Sequence, residues 1–571
     1  MLREVAAVYA VKKKGNIFQI RAYEAAAGAI EQSTVEIKDL WEEGKLDKIP
    51  GIGKSLREHL DELFRTGKVK YWEKIKEGLP KIFFELLNIP GIGPKTALKL
   101  VELGVKNRED LKRGIVSGKL VERGFSEKIA MRILAGIKEA SLVRTGRMLL
   151  PYVFTQAEKI LSYLKKNPKI ETADALGSLR RMVVTVGDLD FAVASKHPRG
   201  VVEYIVSMPG VARVVEKGVA KVTLVLTSGL HADFRIINPD VYGSLLQYFT
   251  GSKLHNIHLR NIALDKGLSL SEYGVKEVKS GKIKKSGTEK EFYALLGMDV
   301  PPPEIREDTG EIEAALAHKL PQLVELEDIK GDLHIHSNFP IEPSHDLGAD
   351  SIKDLVKKAK ELGYSYIGLS DHQPSVGNHT ENEIIAIMTK RSKLIGKIKS
   401  SENFPVLNLL EGDISSSGDV LIPERGLKML DFVIAGVHSA HRQPKEQMTK
   451  RILKALENPY VKVLTHPTGR LLNERQSYEV EWDEVFQFCA KNNKALEINS
   501  WPNRLDLTDA LIRGAKSFGV KFLINTDSHE KSQMENMRFG VAVARKGWAT
   551  KEDIINTWDW TRFCKWFNIS L

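Results

Sequence analysis

At 571 residues the chain is too long for one hydrophobic core, so two to four domains are expected. Its formal net charge of +11 points to a polyanionic partner. Its two cysteines, Cys489 and Cys564, exclude a disulfide framework or a cysteine-built zinc ribbon and fit a reducing compartment. The N-terminus lacks a signal-peptide core and no apolar run reaches membrane-spanning length, so a cytoplasmic protein without a membrane partner is expected.

Residues 1–140 read as helices separated by short glycine-centred turns. Two turns repeat, Ile49-Pro50-Gly51-Ile52-Gly53-Lys54 and Ile89-Pro90-Gly91-Ile92-Gly93-Pro94-Lys95. Each lies between helical stretches, which is the helix-hairpin-helix pattern. The glycines permit a tight turn, the following helix offers free N–H groups to a phosphate, and Lys54 and Lys95 add charge beside them. Such contacts hold a nucleic-acid backbone without reading bases.

The stretch Gly177–Asp190, GSLRRMVVTVGDLD, concentrates the chemistry of the first half. Gly177 and Ser178 let backbone amides approach an anion. Arg180 and Arg181 have the side chains best shaped to hold phosphate oxygens. Val183–Val186 reads as a strand, ending at Gly187-Asp188-Leu189-Asp190. Residues two apart on a strand share a side, so Asp188 and Asp190 present two carboxylates to one spot, suited to a divalent cation that also takes phosphate oxygens. Ala220–Thr227 and Leu230–Ile237 read as a hairpin carrying a third carboxylate, Asp233. Three carboxylates holding two cations fit in-line phosphoryl transfer.

These residues resemble the nucleotidyltransferase superfamily, and within it the family X DNA polymerases. The run Tyr248-Phe249-Thr250-Gly251-Ser252 matches that family's thumb motif. The resemblance implies a small helical domain at 1–80, fingers at 81–143, an α/β palm at 144–237 and an α+β thumb at 238–300. It implies Asp188, Asp190 and Asp233 as catalytic ligands of Mg²⁺ or Mn²⁺. Nucleotide contacts are implied for Arg147, Gly177, Ser178, Arg181, Gly187, Tyr248, Phe249, Gly251 and Asn256. DNA contacts are implied for Gly51, Gly53, Lys54, Gly91, Gly93, Lys95 and Arg260. Met182 and Val184 depart from the family's usual Gly and Glu at non-ligand positions. His59 falls where lyase-active members carry a Schiff-base lysine, and an imidazole cannot replace an amine; Lys54 is a weak substitute.

Residues 301–329, opening with Pro301-Pro302-Pro303, read as an acidic extended linker with a short helix over Ala314–Glu325. From Lys330 the pattern becomes strand–loop–helix. His334 and His336, His372, Glu411, His438, His466, and Asp527 with His529 each fall just after an apolar run. Ligands at the C-terminal ends of successive parallel strands are how a β/α barrel builds an active site. Histidine and carboxylate without cysteine suit Mn²⁺ or Zn²⁺. Residues 330–571 resemble the polymerase-and-histidinol-phosphatase (PHP) domain, which implies a distorted seven-stranded barrel and metal-dependent phosphoester hydrolysis. A ninth ligand is open among Glu342, His345 and Asp346.

The expected protein is a multi-domain, monomeric repair enzyme that extends gapped or primed DNA with dNTPs and processes DNA ends or abasic sites through its barrel. Alternatives are a nucleotidyltransferase that is RNA-directed or template-independent, and a DNA-end-binding scaffold with an inactive barrel. The thumb motif argues against the first and the full ligand set against the second.

Overall fold

A computed structural model describes residues 1–12, 17–31, 41, 46, 52–87, 92–105, 107, 110–111, 113–114, 147–343 and 345–569. Gly51, Gly91 and the part of the predicted fingers from 115 to 143 lie outside the described residues. The chain divides into two compact units. One comprises Met1–Arg147, Val206–Gly218 and Val222–Asp233; the other comprises Met148–Ile205, Val219–Lys221 and Phe234–Leu571. These seams differ from the predicted domain boundaries.

In the first unit the helices Leu2–Val11, Ile17–Glu31, Lys54–Thr66, Lys70–Lys76, Lys81–Leu87 and Pro94–Glu102 are described. They enclose two cores, one around Tyr23, Leu60 and Trp72 and one around Phe83, Leu86 and Leu100. Helix Lys54–Thr66 buries Leu56 and Leu60, four apart on one face, and stops at Gly67, whose φ of +73° suits glycine. Val211–Lys217 pairs antiparallel with Lys221–Leu226, which turns back at Leu230 toward His231 and Asp233.

In the second unit, helix Leu150–Leu164 packs beside the antiparallel pair Thr172–Ala175 and Leu189–Ala194. Helices Tyr242–Thr250 and Lys253–Asp265 then lead to a three-stranded sheet, Leu268–Ser271, Gly274–Glu277 and Ile283–Lys284. This gives the predicted mixed α and β thumb. The stretch predicted as an extended linker is instead packed. It forms a 3₁₀ turn at Pro303–Ile305 and a helix at Glu311–Leu316, N-terminal to the predicted one. Ile312 and Ala315 are buried against Leu259, Ala263 and Phe292. The apolar residues among the acids outweigh the extended bias of the prolines.

Seven parallel strands follow: β1 Gly331–Asp332, β2 Tyr366–Leu369, β3 Val406–Asp413, β4 Phe432–Gly436, β5 Val461–Leu464, β6 Ala495–Asn499 and β7 Lys521–Asn525. They pair in sequence order. A parallel bridge between Ile335 and Ser528, beyond β1 and β7, joins the two ends into a barrel. Its inside is filled by Leu333, Tyr366, Leu409, Phe432, Ile434, Val463 and Leu523. Helix Trp560–Phe567 adds Phe563 and Phe567 to that core, Phe567 stacking on Phe432 with centroids 4.3 Å apart. The floor at the start of the strands is thereby closed, and the chemistry is left to the strands' C-terminal ends. Among the described residues no helix is long and apolar enough to cross a membrane.

Candidate active sites

The barrel ligands converge at that open end. Glu411 is near the end of β3, and His334, His336, His372, His438, His466, Asp527 and His529 all lie just past strand ends. Glu411 is central: its carboxylate stands 3.2 Å from His334 Nε2, 3.1 Å from His372 Nδ1, 3.0 Å from His438 Nε2 and 2.8 Å from His466 Nε2. Asp527 Oδ1 lies 3.4 Å from His334 Nε2 and 3.3 Å from His336 Nε2. The His529 ring lies flat on that of His336, centroids 4.0 Å apart.

Of the three candidates for the ninth position, His345 lies beside other candidate ligands. With Asp413 and His438 it forms a group whose donor atoms all lie within 4.8 Å of one another. Glu342 instead pairs with His379 at 3.2 Å, and Asp346 is exposed. Three further groups of the same kind are His336–His372–His529, His334–His336–Asp527 and His372–Glu411–His438.

The donor set fits divalent cations. Ligands about 2.1 Å from a zinc-like ion in a tetrahedron lie roughly 3.4 Å apart, close to the spacings here. Nδ1 of His336 and Nδ1 of His466 are buried and make no hydrogen bond, a cost of about 1–3 kcal/mol each unless a ligand takes them. Burial, with the nearby His529, pushes His336 down to about 4, so its ring is neutral near pH 7, the form that ligates metals. Burial disfavours the ionised Glu411, yet His334, His438 and His372 hold its carboxyl well below the usual range. His466 and Asp527 have φ of +29° and +56°, left-handed backbone that is costly for side-chain-bearing residues and often concentrated at working sites.

Two supports, half-buried Asp413 and buried Glu497, were not predicted. Asp413, two residues after Glu411 and on the same side of β3, lies 2.8 Å from His438 Nδ1; strand alternation alone points to it. Glu497 on β6 accepts from the His466 backbone amide at 2.7 Å, and its other oxygen lies 2.8 Å from His334 Nδ1, which orients the His334 ring. Arg504 stands 3.5 Å from Asp527, a cation at the rim of an acidic site.

The polymerase-type residues are distributed over both units. In the second, Thr185–Val186 is only a two-residue strand; Met182, at φ +53°, and the turn around it shorten the predicted run. Gly187 and Asp188 form a bend, and Asp190 is the second residue of Leu189–Ala194. Leu189 between them is buried, while Asp188 is exposed and Asp190 half-exposed, so the two acids share the open side. Gly177 has φ +58°, and a Cβ there would stand 3.0 Å from Asp190 Oδ2; glycine lets the Gly177-Ser178 turn close on that carboxylate.

The arginines differ from the reading of free phosphate-holders. Arg180 makes a two-pronged ion pair with Glu289, at 2.7 and 3.1 Å, and Arg306 meets the same carboxylate at 2.5 Å. Arg181 is 6% exposed; its Nε donates to Glu307 at 3.0 Å and its Nη1 to the Thr250 carbonyl. Gly251, at φ +69°, leaves room beside that guanidinium, which a Cβ would approach to 3.2 Å.

In the thumb motif, Tyr248 and Phe249 meet edge to face with centroids 5.0 Å apart, and Arg235 covers Phe249 at 3.8 Å. The Tyr248 carbonyl accepts from Asn256 Nδ2 at 2.8 Å, and Arg260 lies 5.8 Å over the Tyr248 ring.

In the first unit, Asp233 is the third residue of strand His231–Ile237 and accepts a short hydrogen bond from Thr223 Oγ1. Arg147 closes the segment Met1–Arg147. Gly53 and Gly93 precede helices whose first turns have no side-chain cap, and Lys54 and Lys95 are exposed at those starts. His59 stacks on Tyr71 at 5.1 Å and lies 3.2 Å from the Tyr23 hydroxyl, a packed ring with no amine to offer.

Known families match the same segments. A helix-hairpin-helix domain matches residues 1–69, a SAM-like helix-hairpin-helix tandem 83–139, the DNA polymerase beta thumb 245–307 and the PHP domain 332–501. The last match ends before β7, which carries the chain to Asp527 and His529. The chain is 36% identical over 561 residues to the DNA polymerase/3'-5' exonuclease PolX of Bacillus subtilis, covering 97% of this chain and 96% of that protein. A probable phosphatase of Clostridium acetobutylicum is 30% identical over 207 residues, 35% of this chain and 78% of its own. DNA polymerase lambda of Arabidopsis thaliana is 26% identical over 316 residues, 48% and 55% respectively. From one end of its sequence to the other, the chain belongs to the PolX family of family X DNA polymerases that carry a C-terminal PHP domain.

Proposed function

We propose that the chain extends DNA primers from dNTPs with Asp188, Asp190 and Asp233, and removes nucleotides from 3' ends at the barrel centre, acting in the cytoplasm on gapped or primed DNA. The convergence of six histidines on Glu411 and Asp527 carries the nuclease half, and the closeness of the Gly177 turn to Asp190, whose carbonyl accepts from the Leu176 amide at 2.8 Å, carries the polymerase half. At both sites divalent cations would supply positive charge to phosphate oxygens and a more acidic attacking group. Glu411, Asp413, Asp527 and the histidines hold such ions, Mn²⁺ or Zn²⁺ suiting the set, with Mg²⁺ or Mn²⁺ at the aspartates. Glu497 fixes ring orientation, and Arg504 meets the substrate phosphate. The uncapped helix starts after Gly53 and Gly93 hold the DNA backbone.

An end-labelled gapped duplex tests this. With Mn²⁺ alone the label should shorten, with dNTPs added it should lengthen, and chelation should stop both until Mn²⁺ is restored. Full activity after exhaustive chelation would sink the reading.

Tyr248 is proposed to discriminate the sugar, because its carbonyl is held fixed by Asn256. Tyr248→Ala should lower the preference for dNTP over rNTP by roughly tenfold while dNTP incorporation falls less. Measured efficiencies that move in parallel would return Tyr248 to plain packing.

A further inference from the structure

In a β/α barrel the N-terminal ends of the strands serve stability rather than chemistry. Here that end carries a cavity of about 520 Å³. It lies across the starts of β5 and β7, the turn before β6 and helix Trp560–Phe567, at the opposite end of the strands from Glu411 and the histidines. Lys462, Lys521, Arg562 and Lys565 line it with Trp558, Trp566 and three asparagines; among the described residues no carboxylate and no histidine does.

The helix supplies part of this lining. Phe563 and Phe567 are buried in the barrel core, while Arg562, with Lys565 three residues on and Trp566 four, marks another side of the same helix. The Arg562 guanidinium covers the Trp558 ring at 3.9 Å and pairs with Glu552 at 2.8 Å. Trp558 is buried and donates its Nε1–H to the Lys551 carbonyl at 3.3 Å. Trp566 is half-buried and meets Trp558 edge to face, centroids 6.4 Å apart. Lys462 and Lys521, the second residue of β5 and the first of β7, supply further cations, and Glu552 also attracts Lys521. Behind Lys462, Lys494 is 6% exposed and donates to the carbonyls of Asn458 and Val461 at 3.0 and 2.5 Å. Burial pushes the Lys462 ammonium below the ordinary lysine range, and burial with Lys462 nearby pushes Lys494 down to about 8. Two ammonium groups are thus crowded in partly dry surroundings, a strain that an anion in the cavity relieves.

We propose that this cavity is a non-catalytic site for single-stranded DNA: phosphates rest on Lys462, Lys521 and Lys565, and a base lies against the indole of Trp566. The cations stand on two strands and one helix, an arrangement that meets successive phosphates better than a single one. An aromatic face beside them takes an unstacked base of any identity, which a duplex does not offer. The cavity volume falls within the range of small-ligand sites, about 300–1,000 Å³, so it takes a short segment of strand. With no histidine or carboxylate in the described lining to hold a cation, the strand is bound there and not cut. The floor of the barrel anchors a strand, and the hydrolytic centre stays at the open end.

The test is photocrosslinking of the full chain, with Mn²⁺ present, to a phosphorothioate oligothymidine carrying 5-iododeoxyuridine, a strand that keeps its charge and resists hydrolysis. Peptide mapping should place a crosslink on Trp566; none there overturns the site. Lys462→Gln/Lys521→Gln should lower that crosslink roughly tenfold while crosslinks elsewhere in the chain persist. Lys565→Glu, at an exposed position, should lower it as well without touching the strands. Melting temperatures check that both variants are folded, and if the double variant melts early, Lys565→Glu decides. A crosslink that survives these substitutions in folded protein overturns the proposal. Excess unlabelled single strand should abolish the crosslink. Equal displacement by dNTP at the same phosphate concentration would show a free-nucleotide pocket, and equal displacement by polyglutamate a general anion patch; either result overturns the strand reading.

Discussion

Replacing Asp190 with alanine is expected to end nucleotide addition, with a loss on the order of 10³-fold or more, while DNA binding and the nuclease persist. Asp190 lies on the open side with Asp188, and the Gly177 turn passes so close that a Cβ at Gly177 would stand 3.0 Å from Asp190 Oδ2. Removing a carboxylate that holds a cation against the reacting phosphates takes away charge stabilisation that exists chiefly in the transition state. Little stability should be lost, because Asp190 is only partly buried and its neighbours Leu189 and Phe191 carry the core. Gly177→Ala should reproduce part of the loss, since its Cβ would be pressed against the carboxylate and its φ of +58° disfavours any side chain. Primer extension and gel-shift binding of the two variants check this; near-normal extension by Asp190→Ala would refute the assignment.

Glu411→Gln is expected to remove the exonuclease, again by on the order of 10³-fold, and to leave nucleotide addition within a few-fold of the parent. The substitution keeps size and shape but loses the charge that four histidines approach within 3.2 Å. It should also release bound metal, because a neutral amide is a poor ligand for a hard cation and because the centre is shared among many residues. Metal content of the purified variant, its exonuclease rate and its extension rate are measured together. Retention of stoichiometric metal with full exonuclease would show that Glu411 is structural.

The barrel was nearly fully legible in the sequence because its rule is local. Each candidate ligand of the eight sits within four residues of a strand end, and strand ends are marked by the change from apolar to polar residues. His345 and Glu497 were harder for different reasons. The first lies in a long loop after β1, where spacing carries no register; the second is buried mid-strand, where a carboxylate reads as a misfit until His334 is seen against it. The partners of Arg181 were not legible because they lie far away in sequence. Glu307 is 126 residues on, and Lys546 touches its carbonyl from 365 residues on. The segment from 301 to 329 looked extended because three prolines dominate its start; Ile312 and Ala315 find their cover only in the folded thumb.

That sequence distance bears on how the protein is made. A growing chain emerges from its N-terminal side at roughly 5–20 residues per second, so the 365 residues between Arg181 and Lys546 correspond to about 20–70 s of synthesis. During that time the palm and thumb are already outside and able to collapse, yet Lys546, whose Nζ meets Glu307 at 3.0 Å in the finished fold, does not exist. The barrel meets the same delay, since helix Trp560–Phe567, which closes its floor, follows β7 in the chain. The contacts of Lys546 with Glu307 and with the Arg181 carbonyl are therefore made only after helix Met537–Lys546 has been synthesised.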